Sequence, residues 1–133
     1  MKVHGGCHCG AVRYEAEVDP ARVGICHCTD CQKLTGSAYR VTVRAQSGDF
    51  RLLAGTPKTY IKTGDSGAQR AQVFCGDCGS PLYTYAVDEA STIGLRVGCI
   101  DERRDLKPRR QIWCRSALPW VMDIRELPQI ERE

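Results

Sequence analysis

No stretch of this chain approaches the roughly 20 consecutive apolar residues that a membrane-spanning helix needs, so no helical span is expected. The opening "MKVHGGCHCG" holds one lysine and no apolar core, and does not read as a secretory leader. Sustained amphipathic helices, low-complexity tracts and long linkers are missing as well. Nothing therefore divides the 133 residues, which read as one domain, 1–133, with a core over about 3–122 and a tail over about 123–133. Charge of neither sign dominates: the formal net charge is +3 with cysteines neutral. Seven thiolates holding two zinc ions would bring that +3 to zero, which removes a charge-based case for nucleic acid.

Cysteine is the residue in excess. There are nine, an odd number that does not suit a complete disulfide framework. With no leader, the expected compartment is the reducing cytoplasm, where clustered cysteines bind metal or do redox chemistry.

Between the cysteines the chain alternates. "AVRYEAEV" (11–18) places Val12, Tyr14, Ala16 and Val18 on one face, and "AYRVTVRA" (38–45) does so with Tyr39, Val41 and Val43. "TYIK", "AQVFC", "PLYTYAV" and "TIGLRVGC" continue the period of two expected of half-buried strands. "SGD", "AGTP" and "TGDSG" punctuate them as turns. "TDCQKLTG" (29–36) reads as the one helical segment, with Thr29 as its cap and Gly36 as its end. The tail from Asp123 reads as an exposed strand or frayed end. The class is mainly β.

Three cysteine clusters stand out: Cys7-x-Cys9, Cys26-x-Cys28-x-x-Cys31, and Cys75-x-x-Cys78 followed by Gly79. The third has the shape of a zinc knuckle, in which two sulfurs chelate one ion while the backbone turns. Cys7 and Cys9, taken as extended, would put both sulfurs on one side and form a plausible second half of a four-sulfur site. Spacing alone does not say which pairs share an ion.

The middle cluster makes a cradle of three sulfurs. Three protein ligands and one exchangeable position mark catalytic zinc, whereas four mark structural zinc. Candidates for the fourth position are His27, although alternation points it away, Asp30, water, an outside thiolate, or Cys99 or Cys114 closing the site as a second staple. Zinc with three thiolates is a weak Lewis acid suited to soft sulfur, which points to capture of an incoming thiol as thiolate and its addition to a carbonyl.

"GGCHCGAVRYE", "CHCTDCQKLTGS" and "FCGDCGSPLY" together resemble the glutathione-dependent formaldehyde-activating enzyme family, which includes centromere protein V-like domains. "GCIDERRDLKP" and "PRRQIWCRSALPW" resemble its C-terminal segments; where relatives often carry a histidine before the isoleucine, this chain has Gln111. The resemblance implies a small, zinc-stapled β-tent of the Mss4-like group. It implies a structural zinc on Cys7, Cys9, Cys75 and Cys78 and a catalytic zinc on Cys26, Cys28 and Cys31, two per chain. It also implies a carbon–sulfur lyase activity of the S-(hydroxymethyl)glutathione synthase kind, which joins glutathione or another small thiol to formaldehyde or a small aldehyde. The alternatives are a non-catalytic, zinc-stapled protein-binding module and a methionine-R-sulfoxide reductase-like enzyme with Cys99 or Cys114 as nucleophile.

Lys33, Gly36 and Ser37, with Thr35, are candidate substrate contacts beside the middle cluster. Arg110, with Arg109, is a candidate for a glutathione carboxylate. The run Asp101–Arg110 otherwise reads as a solvated loop. Trp113 and Trp120 are expected to anchor sheets, and Cys99 and Cys114 to be buried thiols. His4 and His8 are expected in exposed loops. The expected partners are a small thiol and a small aldehyde, with no nucleic acid and no membrane.

Overall fold

The computed structural model describes residues 1–133. The chain is mainly β, in two sheets. Strands β1 (Lys2–Gly6), β2 (Arg13–Glu17) and β5 (Phe50–Ala54) form the smaller, in the order β1-β2-β5. The larger contains β3 (Gly24–Cys26), β4 (Arg40–Gln46), β6 (Lys58–Thr63), β7 (Gln69–Phe74), β8 (Pro81–Ala86), β9 (Thr92–Arg96) and β10 (Arg110–Ile112). Its order is β10-β3-β4-β9-β8-β7-β6, and only the β10–β3 pair is parallel. No helix is long and apolar enough to cross a membrane.

The alternation in the sequence becomes the core. Val12, Tyr14, Ala16 and Val18 are all buried, as are Val43, Ala45, Ile93 and Leu95 from β4 and β9. They meet in one cluster of 18 buried residues between the sheets. Tyr14, Phe50 and Tyr83 tie the two layers together, with ring centroids 4.8–6.3 Å apart in tilted and edge-on pairs. Gly5, opposite Tyr14 across the β1–β2 pair, has no room for a side chain. A Cβ there would lie 2.4 Å from the Tyr14 ring and 2.8 Å from the Cys99 carbonyl.

Period two also fixes what the core does not take. In β4 the alternate residues Arg40, Thr42 and Arg44 face the other side of the large sheet, in register with Cys26, Gly24 and Gly94 respectively. That second face is polar and cationic.

Several expectations are corrected. The helix α1 (Thr29–Thr35) is capped by Cys28, not Thr29, because the Cys28 sulfur accepts the N–H of Cys31; Gly36 does end it, in the left-handed region. Cys7 and Cys9 are on a tight turn, not an extended segment, closed by the Gly10 N–H to the Cys7 carbonyl. Strands β1, β5 and β10 were not expected: β1 ends in two glycines, β5 is exposed and lacks alternation, and β10 is only three residues long. Arg110 thus begins a strand. His4 sits in β1, not a loop, paired with Glu102. Trp113 and Trp120 are about half exposed and anchor neither sheet, and Cys114 is exposed. The tail forms a 3-10 turn at Ile124–Glu126 and no strand.

Candidate metal centre

Two turns bring the outer cysteine pairs together. The first follows β1 and carries Cys7 and Cys9. The second joins β7 to β8 and carries Cys75 and Cys78. Each closes on a glycine with positive φ, Gly10 at 82° and Gly79 at 78°, whose N–H returns to the carbonyl of the first cysteine at 3.2 and 2.9 Å. A residue with a side chain is strained in that conformation. All four sulfurs lie within 4.8 Å of one another. Cys7 and Cys9 are 3.5 Å apart and Cys9 and Cys75 3.7 Å, near the ~3.8 Å edge of a tetrahedron with zinc–sulfur distances of about 2.3 Å. Backbone N–H groups already point at the sulfurs, as Val12 does at Cys7 over 3.2 Å. Hydrogen bonds from the Ser80 hydroxyl and N–H bring the Cys78 thiol down to about 5. The donor set fits a closed zinc site between the small sheet and the β7–β8 turn of the large one.

The middle cluster is built differently. Cys26 ends β3, Cys28 caps α1, and Cys31 lies in its first turn. Their three sulfurs also lie within 4.8 Å of one another. Cys26 and Cys31 are buried and Cys28 is half-buried. Burial opposes ionisation of Cys28, yet hydrogen bonds from the Cys31 thiol and N–H carry it below its ordinary value. Burial, reinforced by Cys28 and Cys26, pushes Cys31 up against the pull of Arg40. Of these two thiols, Cys28, the sulfur at the helix N-terminus, is the more readily ionised.

No fourth ligand from this chain joins the three. The Cys99 thiol donates to the Pro81 carbonyl at 3.2 Å, and neither it nor Cys114 falls in the cluster. Asp30 is paired with Lys62 at 2.8 Å. His27 is fully buried but turned away: its Nε2 donates to Gln111 Oε1 at 2.7 Å, and its ring meets Tyr39 edge-on. Gln32 helps to fix the segment by donating to the His27 and Ser116 carbonyls. His27, Gln32 and Gln111 hold the loop around the cluster. The sequence marked only Gln111, as the residue standing where relatives often carry a histidine; its place beside Cys26 comes from the β10–β3 pairing.

The candidate substrate contacts are divided between two cavities. Lys33, Thr35, Gly36 and Ser37 line a groove of about 920 Å³ with Tyr39 and Trp120, and no cysteine of the middle cluster lines it. Thr35 is also committed to its own helix, donating to the Cys31 carbonyl at 2.7 Å. Arg110 instead lines a pocket of about 270 Å³ that Cys26 shares. Arg109 uses its backbone N–H to bond Val23.

Residues 2–116 match the model of the glutathione-dependent formaldehyde-activating enzyme family. The chain belongs to that family. A Halomonas elongata protein, provisionally named a glutathione-dependent formaldehyde-activating enzyme, is 27% identical over 89 residues, 64% of this chain and 57% of that protein. The chain thus spans little more than half the length of this curated relative. The fold is similar to that of a Rhodobacter sphaeroides protein solved by crystallography, with a TM-score of 0.63 and 25% identity over 84% of this chain and 99% of the other. Both sulfur clusters fall within the family match, and the exposed tail lies beyond it.

Proposed function

We propose that this member of the formaldehyde-activating family joins a small thiol, glutathione or an analogue, to formaldehyde or another small aldehyde, and is a carbon–sulfur lyase in the reverse direction. In this reading Cys26, Cys28 and Cys31 hold a catalytic zinc, and Cys7, Cys9, Cys75 and Cys78 a structural one. The supporting observation is the difference between the clusters: one presents four sulfurs at tetrahedral spacing, the other three with no fourth side chain in reach. Zinc bound by three thiolates supplies a soft centre that keeps a fourth sulfur deprotonated near neutral pH.

The chain's own residues set the stage. Cys28 fixes the start of α1 and with it the position of Cys31. His27 and Gln111 keep the imidazole out of the sulfur cluster and leave the fourth corner to a visitor. Buried Cys26 and Cys31 limit water on the inner side. The chemistry is an addition: a sulfur–carbon bond forms, the carbonyl π bond breaks, and the carbonyl oxygen takes up the proton lost by the thiol. The sulfoxide-reductase alternative is disfavoured because it leaves the three-sulfur cluster of Cys26, Cys28 and Cys31 without a role.

The test is an NMR exchange measurement on the zinc-loaded protein with glutathione and isotopically labelled formaldehyde, against a protein-free control. Because the adduct forms spontaneously, the exchange rate is the readout. Acceleration by the wild type and none by Cys28→Ser supports the reading. Equal acceleration by both contradicts the assignment of the middle cluster.

A further inference from the structure

The pocket that reaches Cys26 is lined by five arginines: Arg22, Arg40, Arg44, Arg70 and Arg110. Glu89, at its exposed rim, is the one acid among its lining residues. None of the five belongs to any ion pair in the molecule, whose salt bridges use other cations throughout. The arginines are a product of the fold. Arg40 and Arg44 are alternate residues of β4, Arg110 is opposite Gly24 across the β10–β3 pair, and Arg70 comes from β7 beyond β9 and β8.

The floor is small and polar. Gly94 separates Arg44 from Thr84 across three adjacent strands, and a Cβ on it would crowd Thr42 and Thr84 at 3.0 and 3.1 Å. Thr42 Oγ1 and Arg40 Nε are buried without a hydrogen-bond partner. Beside Thr42 in register, outside the pocket lining, lies Arg96, 5% exposed, which bonds only Gln72 and keeps its Nε and Nη1 unpartnered. Buried polar groups are normally satisfied, and an uncompensated buried cation is costly. Burial, then the neighbouring charges of Arg40 and Arg44, depress Arg70.

We infer that this pocket is the seat for the anionic end of the thiol substrate, so that the protein selects small thiols bearing carboxylate or phosphate groups. The inference rests on the reading of the middle cluster as a thiol-capturing centre and adds the substrate class and the residues that choose it. Cys26 borders both the pocket and the sulfur cluster, so one ligand can place its charges on Arg40, Arg44 and Arg70 and its sulfur toward the cysteines. Arginine forks suit planar or tetrahedral oxyanions bidentately.

Calorimetric titration of the zinc-loaded protein at low salt tests this with four probes: glutathione, its diethyl ester, S-methylglutathione and 2-mercaptoethyl phosphate. The ester keeps the thiol and loses both anions; S-methylglutathione does the reverse. Glutathione is expected to bind at least about tenfold more tightly than the ester, and Arg44→Gln/Arg70→Gln to abolish that preference while keeping its zinc. Wild-type affinity for glutathione should also fall steeply with added salt. Tighter binding of the phosphate thiol than of glutathione would support the pocket and name phosphate as its preferred anion; weaker binding would name carboxylate. Arginine-dependent binding of S-methylglutathione as tight as that of glutathione would uphold the pocket and sink thiol capture. Equal binding of glutathione and its ester, unchanged affinity in the double variant, or no binding of any probe would overturn the inference.

Discussion

The backbone N–H of Cys31 points at the sulfur of Cys28 from 3.3 Å. One atom therefore caps the only α-helix and belongs to the three-sulfur cluster. Helix start and sulfur cluster are the same local structure, and a positive helix end faces a sulfur whose ionisation the Cys31 thiol and N–H favour.

Serine at position 28 can still accept the Cys31 N–H, so Cys28→Ser should keep the fold while losing a sulfur ligand. Zinc content is expected to fall from two ions to one per chain, with the circular dichroism of the wild type and a loss of aldehyde exchange of about 100-fold or more, since even supporting residues around a metal cost 10–100-fold. Metal analysis and the NMR exchange rate check it.

Cys75→Ser should behave in the opposite way. The four-sulfur site links the small sheet to the β7–β8 turn. Structural zinc is worth about 10–16 kcal/mol in isolated finger peptides, comparable to the whole stability of a domain. The variant is expected to be unfolded or insoluble, and a strong chelator should take one ion from the wild type without unfolding and the second only with it. Circular dichroism during chelation reads both steps.

At Gly5 the Tyr14 ring and the Cys99 carbonyl lie too close for a methyl group. Gly5→Ala should cost about 1–3 kcal/mol by overpacking against Tyr14. Gly48→Ala, where a Cβ would meet nothing within 4 Å, should stay within about 0.5 kcal/mol of wild type. Denaturant unfolding of the zinc-loaded proteins compares them.

Glu102 accepts the His4 N–H at 2.8 Å and meets His4 Nδ1 at 2.9 Å. Burial opposes its ionisation, but the His4 backbone and ring win and hold it below its ordinary 4.5. A depressed carboxylate contributes stability above its unfolded pKa and loses it as pH falls through the folded one. Glu102→Gln should thus cost about 1 kcal/mol near neutrality, discounted for partial exposure. The gap to wild type should close as the pH drops below 4.5. Paired unfolding curves at two pH values measure the gap.

Much of this was legible in the chain. Alternation around Tyr14 and Val43 named the core because a half-buried strand leaves a period of two. Cysteine spacing marked the three cysteine groups because chelation demands it, and the family resemblance, not spacing, paired Cys7 and Cys9 with Cys75 and Cys78. What spacing could not carry was long-range register. Arg40, Arg44, Arg70 and Arg110 are scattered over 71 positions, and only the strand order brings them to one pocket. The exposure of Trp113 and Trp120 was illegible for a similar reason: the tight 3-10 turns after β10 leave them outside the core. Cys28 as a cap escaped notice because sulfur is an unusual capping atom beside the threonine that follows it.

The central claim is that the three-cysteine site keeps a corner open for an incoming sulfur. Cobalt substituted into both sites makes this visible, because each added thiolate strengthens the sulfur-to-cobalt charge-transfer bands. Glutathione is predicted to intensify those bands in the wild type and to leave the Cys75–Cys78 site unchanged. A spectrum that stays the same at saturating glutathione, with both ions bound, would contradict the account and favour a closed, zinc-stapled binding module.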